Sequence, residues 1–550
     1  MPVVPITNLG QAGLIRDVPE TALPINGLTE AENIRSNGTS ISRAGAFVPV
    51  ESGMHAGGTT AGVVEAIHRH MAPQEVQDVY LCTDTRHIYR YTGTQFEDVS
   101  PDGHIPVSGA APITATSLAL LPYFASANIP VLGRAAESGS RFTPVMAGSA
   151  HAGTKWRVVR AHKDRLFVLN GSDDNGEYPQ RVMWSGPTMS GALATDWETA
   201  SLESTAGFVD LSGFAGEILD CHPMGEFLYV YGAYGVSRLW ESGDQFIFGN
   251  APVLSEDGLL ATRCVAPLSE YGHFVVGRNS IYLFDGHQRH AIASDRVEQE
   301  FRRTLDTERL SRMFVFPDYR KKEVWICYPS RDTRAWFSGD DVQYANRALV
   351  WDYSHNTWSF RDLPNVADMA TVAVQGAVDT WDTVTTPATR WSGESGTWSS
   401  ATGVSHTLPL AAIRPCTGPE GAVPEMLAQF DDAAYPEGPW NCPTSSIGRT
   451  GITLAELGLT RWGQKAISRV SLGATTYGQE GQELRVSVGM RDHQQGAWHW
   501  ERDIPYRPAE QSWANVRLQG KQLGYRIAAA GVATMDLTQI DLEIQEIAQR

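Results

Sequence analysis

His273-Phe-Val-Val-Gly-Arg-Asn-Ser-Ile-Tyr-Leu-Phe-Asp285 is the stretch on which the fold of this chain turns. Two short runs of β-branched and aromatic residues, Phe274-Val-Val276 and Ile281-Tyr-Leu-Phe284, flank a Gly-Arg-Asn-Ser break. The segment therefore reads as two strands joined by a tight turn. The same texture returns at Asp78–Tyr91, Asp164–Gly171, Glu226–Gly232 and Arg312–Tyr328. Alternation of period two bounded by Gly, Asp and Asn fits strands, whereas a helix repeats its apolar residues at every third or fourth position. The chain is read as all-β.

The central aromatics of these units, Tyr89, Phe167, Tyr229, Tyr282 and Trp325, fall 78, 62, 53 and 43 residues apart. The first interval has room for one more unit around Leu118 to Val145, which makes about six between residues 60 and 364. That density is near the ~40–50 residues of a four-stranded propeller blade. An irregular six-bladed β-propeller is expected, and a pair of β-sandwiches is the alternative that short alternating strands predict equally well.

The flanks differ in texture. Residues 1–59 carry Pro2, Pro5, Pro19, Pro24 and Pro49 with few apolar runs, which describes an extended arm lying on something else, with one short helix around Thr29 to Ile34. Residues 365–460 hold Trp381, Trp391 and Trp398 among Thr, Ser and Gly, followed by a run of prolines from Pro409 to Pro443, so a loop-rich insertion is expected there. Alternation resumes in residues 461–550, a small C-terminal β-domain. The clearest helix signal is Asp295 to Leu310.

Composition bounds the function. Hydrophobic residues make up 42% and charged residues 19% of the 550, a balance that excludes disorder and coiled coil. Asp and Glu outnumber Lys and Arg by 62 to 44, and the net charge of −18 argues against wrapping nucleic acid by counterion release. No basic region followed by an apolar core opens the chain, so no secretory signal is expected. The most apolar stretch, Leu118 to Leu132, is broken by Pro122, Ser126, Asn128 and Pro130, too short and interrupted for a spanning helix. Cys82, Cys221, Cys264, Cys327, Cys416 and Cys442 are dispersed without a Cys-x-x-Cys, and are expected as reduced, mostly buried thiols.

Local motifs with defined chemistry are few. Ser392-Gly-Glu-Ser-Gly-Thr-Trp398 resembles the Asp-box turn of sialidase propellers but has Glu394 for Asp and is one residue short before the Trp. His287 and His290 stand three apart at a hairpin end, where exposed turn histidines are the simpler reading than a shared metal. Asp173-Asp-Asn-Gly-Glu177 clusters oxygens without the alternating spacing of a calcium loop. Arg320-Lys-Lys322 reads as a solvated hairpin tip that discourages strand addition. No P-loop, Gly-x-Ser-x-Gly elbow, His-Glu-x-x-His or dinucleotide fingerprint occurs. No catalytic residue, cofactor or metal is expected, and the composition describes a structural β-protein.

Four strings, in order along the chain, make it more specific. Pro5-Ile-Thr-Asn-Leu-Gly-Gln-Ala-Gly-Leu-Ile-Arg-Asp-Val-Pro19 is followed by Leu23-Pro24 and Ala31-Glu-Asn-Ile-Arg35. Arg181-Val-Met-Trp-Ser185 is followed by Asp196-Trp197, and Arg347-Ala-Leu-Val-Trp-Asp-Tyr353 by Asn356-Thr-Trp-Ser359. Arg449-Thr-Gly-Ile452 precedes a last β-domain containing Val488-Gly489. Together they resemble the tail nozzle, or tail tubular protein B, family of short-tailed (podovirus-type) bacteriophages.

The resemblance implies a β-propeller with appended β-domains, assembled as a homohexamer ring that continues the DNA channel below the portal and the tail adaptor. Such a protein resides in the virion tail after assembly in the host cytoplasm. It retains the packaged genome, opens for DNA ejection and meets the adaptor, with tail fibres as further partners and DNA passing without specific binding. Under this implication Trp381, Trp391, Trp398, Asp431 and Asp432 are candidates for a channel gate or its packing. The alternative from another class is a glycan-binding or glycan-hydrolysing propeller, on the strength of the aromatic content.

Overall fold

A computed structural model describes residues 3–52, 60–374, 406–431, 444–453, 456–457 and 464–547, less the stretches 72–76, 92–94, 244–246, 419–420, 478–482, 494–495 and 530–533 and scattered single or paired positions. Trp381, Trp391, Trp398, Asp432, Cys442 and the whole of Ser392–Trp398 lie outside the described residues.

The fold is an all-β propeller with a β-sandwich attached. Six four-stranded antiparallel sheets follow one another in the window from 60 to 364. Their inner strands are Val64–Met71, Thr114–Leu118, Lys155–His162, Ile218–Met224, Val265–Leu268 and Phe314–Asp318. Each inner strand packs on the next, and a seventh closes the circle back to the first. These inner strands are sheet edges, which is why Pro223, Pro267 and Pro317 are tolerated in them: a residue without an N–H loses no ladder bond on an unpaired side. Short hairpins join the strands. In one of the tightest, Leu118 pairs with Leu121 across Ala119 (φ 53°) and Leu120 (φ 65°), two non-glycine residues in left-handed conformation.

The seventh blade corrects the count of six. The six units counted between 60 and 364 are present, and one more is assembled from segments outside that window. Thr357–Val374 bends at Asn365, so that its first half is the outer strand of blade 6 and its second half the inner strand of blade 7. Asn365 takes a left-handed φ of 54°, a conformation Asn accepts more readily than most residues. Its side chain fixes the bend by accepting from the Tyr344 N–H (2.9 Å) and donating to the Pro415 carbonyl (3.2 Å). His406–Ile413 and Met426–Asp431 follow, and Ala46–Ser52 from the amino-terminal arm adds the outermost strand. The expected loop-rich insertion thus contributes blade strands. Pro409 does not prevent this, because the ladder of its strand with the third strand begins only at Leu410.

The arm is woven through the body. Val3–Thr7, Ile34–Ser36 and Ile41–Arg43 join Thr534–Glu546, Lys465–Tyr477 and Ala514–Gly520 in one sheet of the sandwich. Glu30–Glu32 stands in the other, beside Ser445–Thr453, and touches blade 6 in parallel through Glu32 and Phe360. The expected helix over Thr29 to Ile34 is therefore two strands. Asn33, at φ 55°, breaks the run, and its side chain donates to Asp362 (2.9 Å) and the Thr444 carbonyl (3.0 Å), so tertiary bonding overrides local preference. Leu9, Leu14 and Leu28 are fully buried, each worth about 1.5–3 kcal/mol of transfer free energy. The predicted helix over 295–310 is shorter, Glu298–Thr304, and a 3-10 turn restarts at Thr307 because the Asp306 side chain caps Glu308.

Candidate functional site

The inner strands of all seven blades surround a bore that holds a cavity of about 570 Å³. Period-two alternation sends every second inner-strand side chain into it, so its chemistry comes from residues far apart in sequence. Arg160 of blade 3 donates to Asp220 of blade 4 at 2.9 Å, and Asp220 also accepts from the Arg263 N–H at 3.2 Å. The Arg263 guanidinium pairs with Asp368 on blade 7, and Asp368 accepts from the Ile67 N–H of blade 1 at 2.8 Å. Beside the bore, Glu65 of blade 1 accepts from Arg86 (2.7 Å) and pairs with Arg312 ahead of blade 6. Buried carboxylates therefore brace blades 3, 4 and 5, blades 5, 7 and 1, and blades 6 and 1.

The braces pair the arginines of the bore with carboxylates, between apolar wall residues such as Ile113, Val265 and Phe316. His222 sits 3.9 Å from Asp220, yet burial outweighs that carboxylate and holds the imidazole down to about 3. Asp368 is pushed above the usual carboxylate range by burial, against the pull of Arg263. His273, behind the wall, accepts from Tyr231 Oη through Nδ1 (2.6 Å) and donates through Nε2 to the Pro223 carbonyl (3.1 Å), and burial lowers it to about 4. A cavity of this size suits a small molecule or a few waters and ions. It does not suit a nucleic-acid duplex, whose major groove alone is about 12 Å wide, because the Arg263–Asp368 pair links blade 5 to blade 7 across the intervening inner strand.

A second concavity, about 350 Å³, lies on the outer face of the sandwich. Trp500 packs flat against Gly489, where an added Cβ would come within 2.7 Å of the ring. Beside it stand Arg502, Asp503 and Ser487, and the Arg526–Glu30 pair at 2.8 Å.

The residues singled out from the sequence fare differently. Asp431 ends the third strand of blade 7, paired with Ala46 of the arm, and is not among the residues that line the bore. Asp285 caps the hairpin carrying His287 and His290, accepting from the His287 N–H at 2.8 Å and lying 3.3 Å from His290 Nε2. Asp173 is used by its own turn, accepting from Asn175 N–H (2.8 Å), Gly176 N–H (3.1 Å) and Tyr178 Oη (3.2 Å). Asp318 likewise holds the tip that carries Arg320 and Lys321. The five described cysteines are buried and unpaired, and burial raises Cys82, Cys264 and Cys416 to about 12. Among the described residues no three His, Cys, Asp or Glu side chains gather as a metal site. The bore residues carried no sequence signal as a set, because Arg160 and Asp220 are 60 residues apart and Arg263 and Asp368 are 105.

No protein-family model and no curated protein matches the chain. Among solved structures it is similar to "YCF48 bound to D1 peptide", at 10% identity and a TM-score of 0.32 over 70% of this chain and 95% of that one. It is also similar to an extracellular domain assigned to a hybrid two-component system, BT4673 of B. thetaiotaomicron, at 10% identity and 0.30 over 51% of this chain. The chain spans 38% of that domain's length. A structure named "Glycoside hydrolase" aligns at 9% identity and 0.23 over 88% of this chain and 98% of that one. All three scores are too low to inform function, and the propeller stands on the chain's own strand order and closed ring.

Proposed function

We propose that this chain is a structural component of a short phage tail, a nozzle subunit whose ring retains the genome and opens for its ejection. One observation carries the reading: three of the four strings that resemble the nozzle family, all but the one in blade 3, meet at one buried junction. Glu32 of the arm string takes Arg347 of the late-blade string in a bidentate pair at 2.7 and 2.8 Å. The Leu14 N–H donates to the Trp358 carbonyl at 3.0 Å and the Asn33 N–H to the Phe360 carbonyl at 2.8 Å. Arg449 of the fourth string donates to the Glu20 (2.7 Å) and Leu23 (3.2 Å) carbonyls of the arm. Residues more than 300 positions apart thus serve one purpose, fastening arm, propeller and sandwich into a unit suited to bearing load.

In this reading DNA runs along the axis of the ring, between subunits, and not through the braced bore of any one propeller. The net charge of −18 per chain favours passage, since cation–phosphate contacts are what slow a sliding duplex. Among the described residues no helix is long and apolar enough to cross a membrane. Mass photometry and negative-stain imaging of the purified 60.1 kDa chain with its adaptor test the proposal. Six-fold rings of about 360 kDa plus adaptor support it, and monomers under every assembly condition refute it. A second reading, glycan binding, is favoured by the Trp500 shelf and its flanking Arg and Glu groups, a face on which a sugar ring can stack and hydrogen-bond. Retention on immobilised host glycans, lost in Trp500→Ala, would favour it.

A further inference from the structure

We propose that the outer face of the sandwich binds neutral pyranose sugars, in the concavity of about 350 Å³ beside Trp500, with Arg502 and Asp503 as the partners of their hydroxyls. The proposal rests on the second reading above, glycan binding, and gives that site its ligand class. Strand register builds the site. Ser487 lies opposite Arg526, Arg526 opposite Gly448 and Gly448 opposite Glu30 of the arm, so these four share one face of the sheet. Two residues along their strands, Gly489 and Gly524 follow on the same face, with Trp500 opposite Gly489. The other face of these strands carries Val486, Val488, Tyr525 and Ile527, which are buried in the core. Three glycines on the outward face leave a hollow that side chains would otherwise fill, and Trp500 forms one edge of it. A Cβ at Gly489 would meet three atoms of the Trp500 ring between 2.7 and 2.9 Å, and one at Gly524 would meet its tip at 3.2 Å. The indole is thus seated flat on backbone, and Trp498, at 5.5 Å and 36°, widens the aromatic surface.

The polar groups come from an irregularity in the ladder. Val486 pairs with Ile504 and Val488 with Glu501, so Ser487 faces two residues, Arg502 and Asp503, in a β-bulge. Asp503 takes a left-handed φ of 55°, and its N–H donates to Ser487 Oγ at 3.1 Å. A bulge re-aims side chains, and Arg502 and Asp503 both line the concavity. Both are exposed, and among the described residues neither side chain has a hydrogen-bond or ionic partner. Arg526, by contrast, is engaged by Glu30 at 2.8 Å. The open charges are therefore one guanidinium and one carboxylate side by side, a set of donors next to a set of acceptors. A hydroxyl both donates and accepts, so neighbouring hydroxyls of one sugar ring satisfy the two groups while its C–H face packs on Trp500. An acidic sugar would set its carboxylate against Asp503 and Glu30. A nucleic-acid strand would set its phosphates there, on a chain whose net charge is −18.

Calorimetric titration of the full chain is the test, with neutral gluco-, galacto- and manno-configured oligosaccharides, an oligogalacturonate and a single-stranded oligothymidylate as probes. A neutral oligosaccharide is expected to bind more tightly than either charged probe. Asp503→Gly removes the carboxylate and keeps the left-handed backbone, which glycine adopts without strain, and it should weaken that binding by about tenfold or more. Trp500→Ala should weaken it by about tenfold or more, and Trp500→Tyr, which keeps an aromatic face, should recover part of the loss. Tighter binding of the oligogalacturonate overturns the neutral class and leaves the glycan reading standing, whereas tighter binding of the oligothymidylate overturns both. Neutral binding left unchanged by Asp503→Gly and Trp500→Ala overturns the site. Binding of no probe overturns the proposal, and retention of the same preparation on host glycans then decides the broader glycan reading separately.

Discussion

Arg347→Met is expected to unlock the amino-terminal arm while leaving the blades standing. Arg347 is 1% exposed, holds Glu32 through two bonds, pairs with Asp332, and lies 4.2 Å over the Phe360 ring. Met keeps most of the volume and removes the charge. Glu32, Asp332 and the nearby Asp362 are then left with Arg16, which reaches Glu32 at 3.2 Å, and Arg334 on Asp332. Breaking one member out of a buried ion cluster costs about 3–5 kcal/mol, because each carboxylate stays buried with one cation where it had two. At ~1.4 kcal/mol per decade, that lowers the protection of the arm's amides by about two to three and a half orders of magnitude. Global unfolding of a multidomain chain is not two-state, so the assay is native-state hydrogen exchange resolved over residues 30–36. Burial already raises the Glu32 pKa against the pull of Arg347, so losing Arg347 raises it further. Protonation then relieves the stranded charge, and the defect should shrink as pH falls from 8 to 5. Glu32→Gln in the same chain should recover part of the loss. Protection within fivefold of the parent at pH 7.5, or a double variant no better protected than Arg347→Met, would refute the lock.

Three further outcomes are expected. Leu120→Gly should stabilise the protein by about 0.5–1 kcal/mol, since it relieves a left-handed leucine that is 45% exposed and packs little; a lower thermal midpoint would contradict this. Phe47→Ala, which removes a buried ring 5.2 Å from Phe430, should cost blade 7 about 3–5 kcal/mol and open the strand 46–52 to protease, and unchanged cleavage would deny the arm its closing role. In acid, burial would raise Glu323, but Arg361 and Arg35 hold it at about 2 against an ordinary 4.5. A depressed folded pKa gives stability that is present above 4.5 and lost as pH falls toward 2, about 3 kcal/mol here. His273, lowered from 6.5 to about 4 by burial, loses its contribution between those values. Glu323→Gln should therefore flatten the acid limb of a stability–pH curve below 4.5 only, and a flattening near pH 7 would contradict the assignment.

The propeller was legible where neighbours in sequence are neighbours in the sheet. Hairpins such as Gly272–Val276 with Ile281–Phe284 pair residues only a few positions apart, so alternation and turn residues suffice to place them. Blade 7 was not legible, because its outer strand comes from residues 46–52 and its inner strand begins after a bend at Asn365 inside one continuous run. Prolines that signal a loop locally are compatible with a strand wherever one side of it is unpaired, and only tertiary structure says which side that is.

The bore was illegible for a related reason, yet one part of it had a readable signature. A carboxylate brace between inner strands links residues whose separation is set by blade length, and blade length varies, so no spacing rule points to Asp220 or Asp368. His68-Arg-His70 is different: two imidazoles two apart in a β-branched, alternating run must share a face. What the sequence withholds is the third partner, because Ser117 reaches them from another blade. The same logic explains the arm. Its glutamate and arginines, Glu32, Arg16 and Arg35, read as solvated charges beside prolines; Arg16 and Glu32 meet within the arm, but their pairs with Glu300 and Arg347, and that of Arg35 with Glu323, form only once blades 5 and 6 are in place. Long-range ion pairs of this kind cannot form until both ends are in place. The arm should therefore be the last element to gain protection in refolding, after the local hairpins, and it is placed to be the first to loosen when a load is applied to the junction.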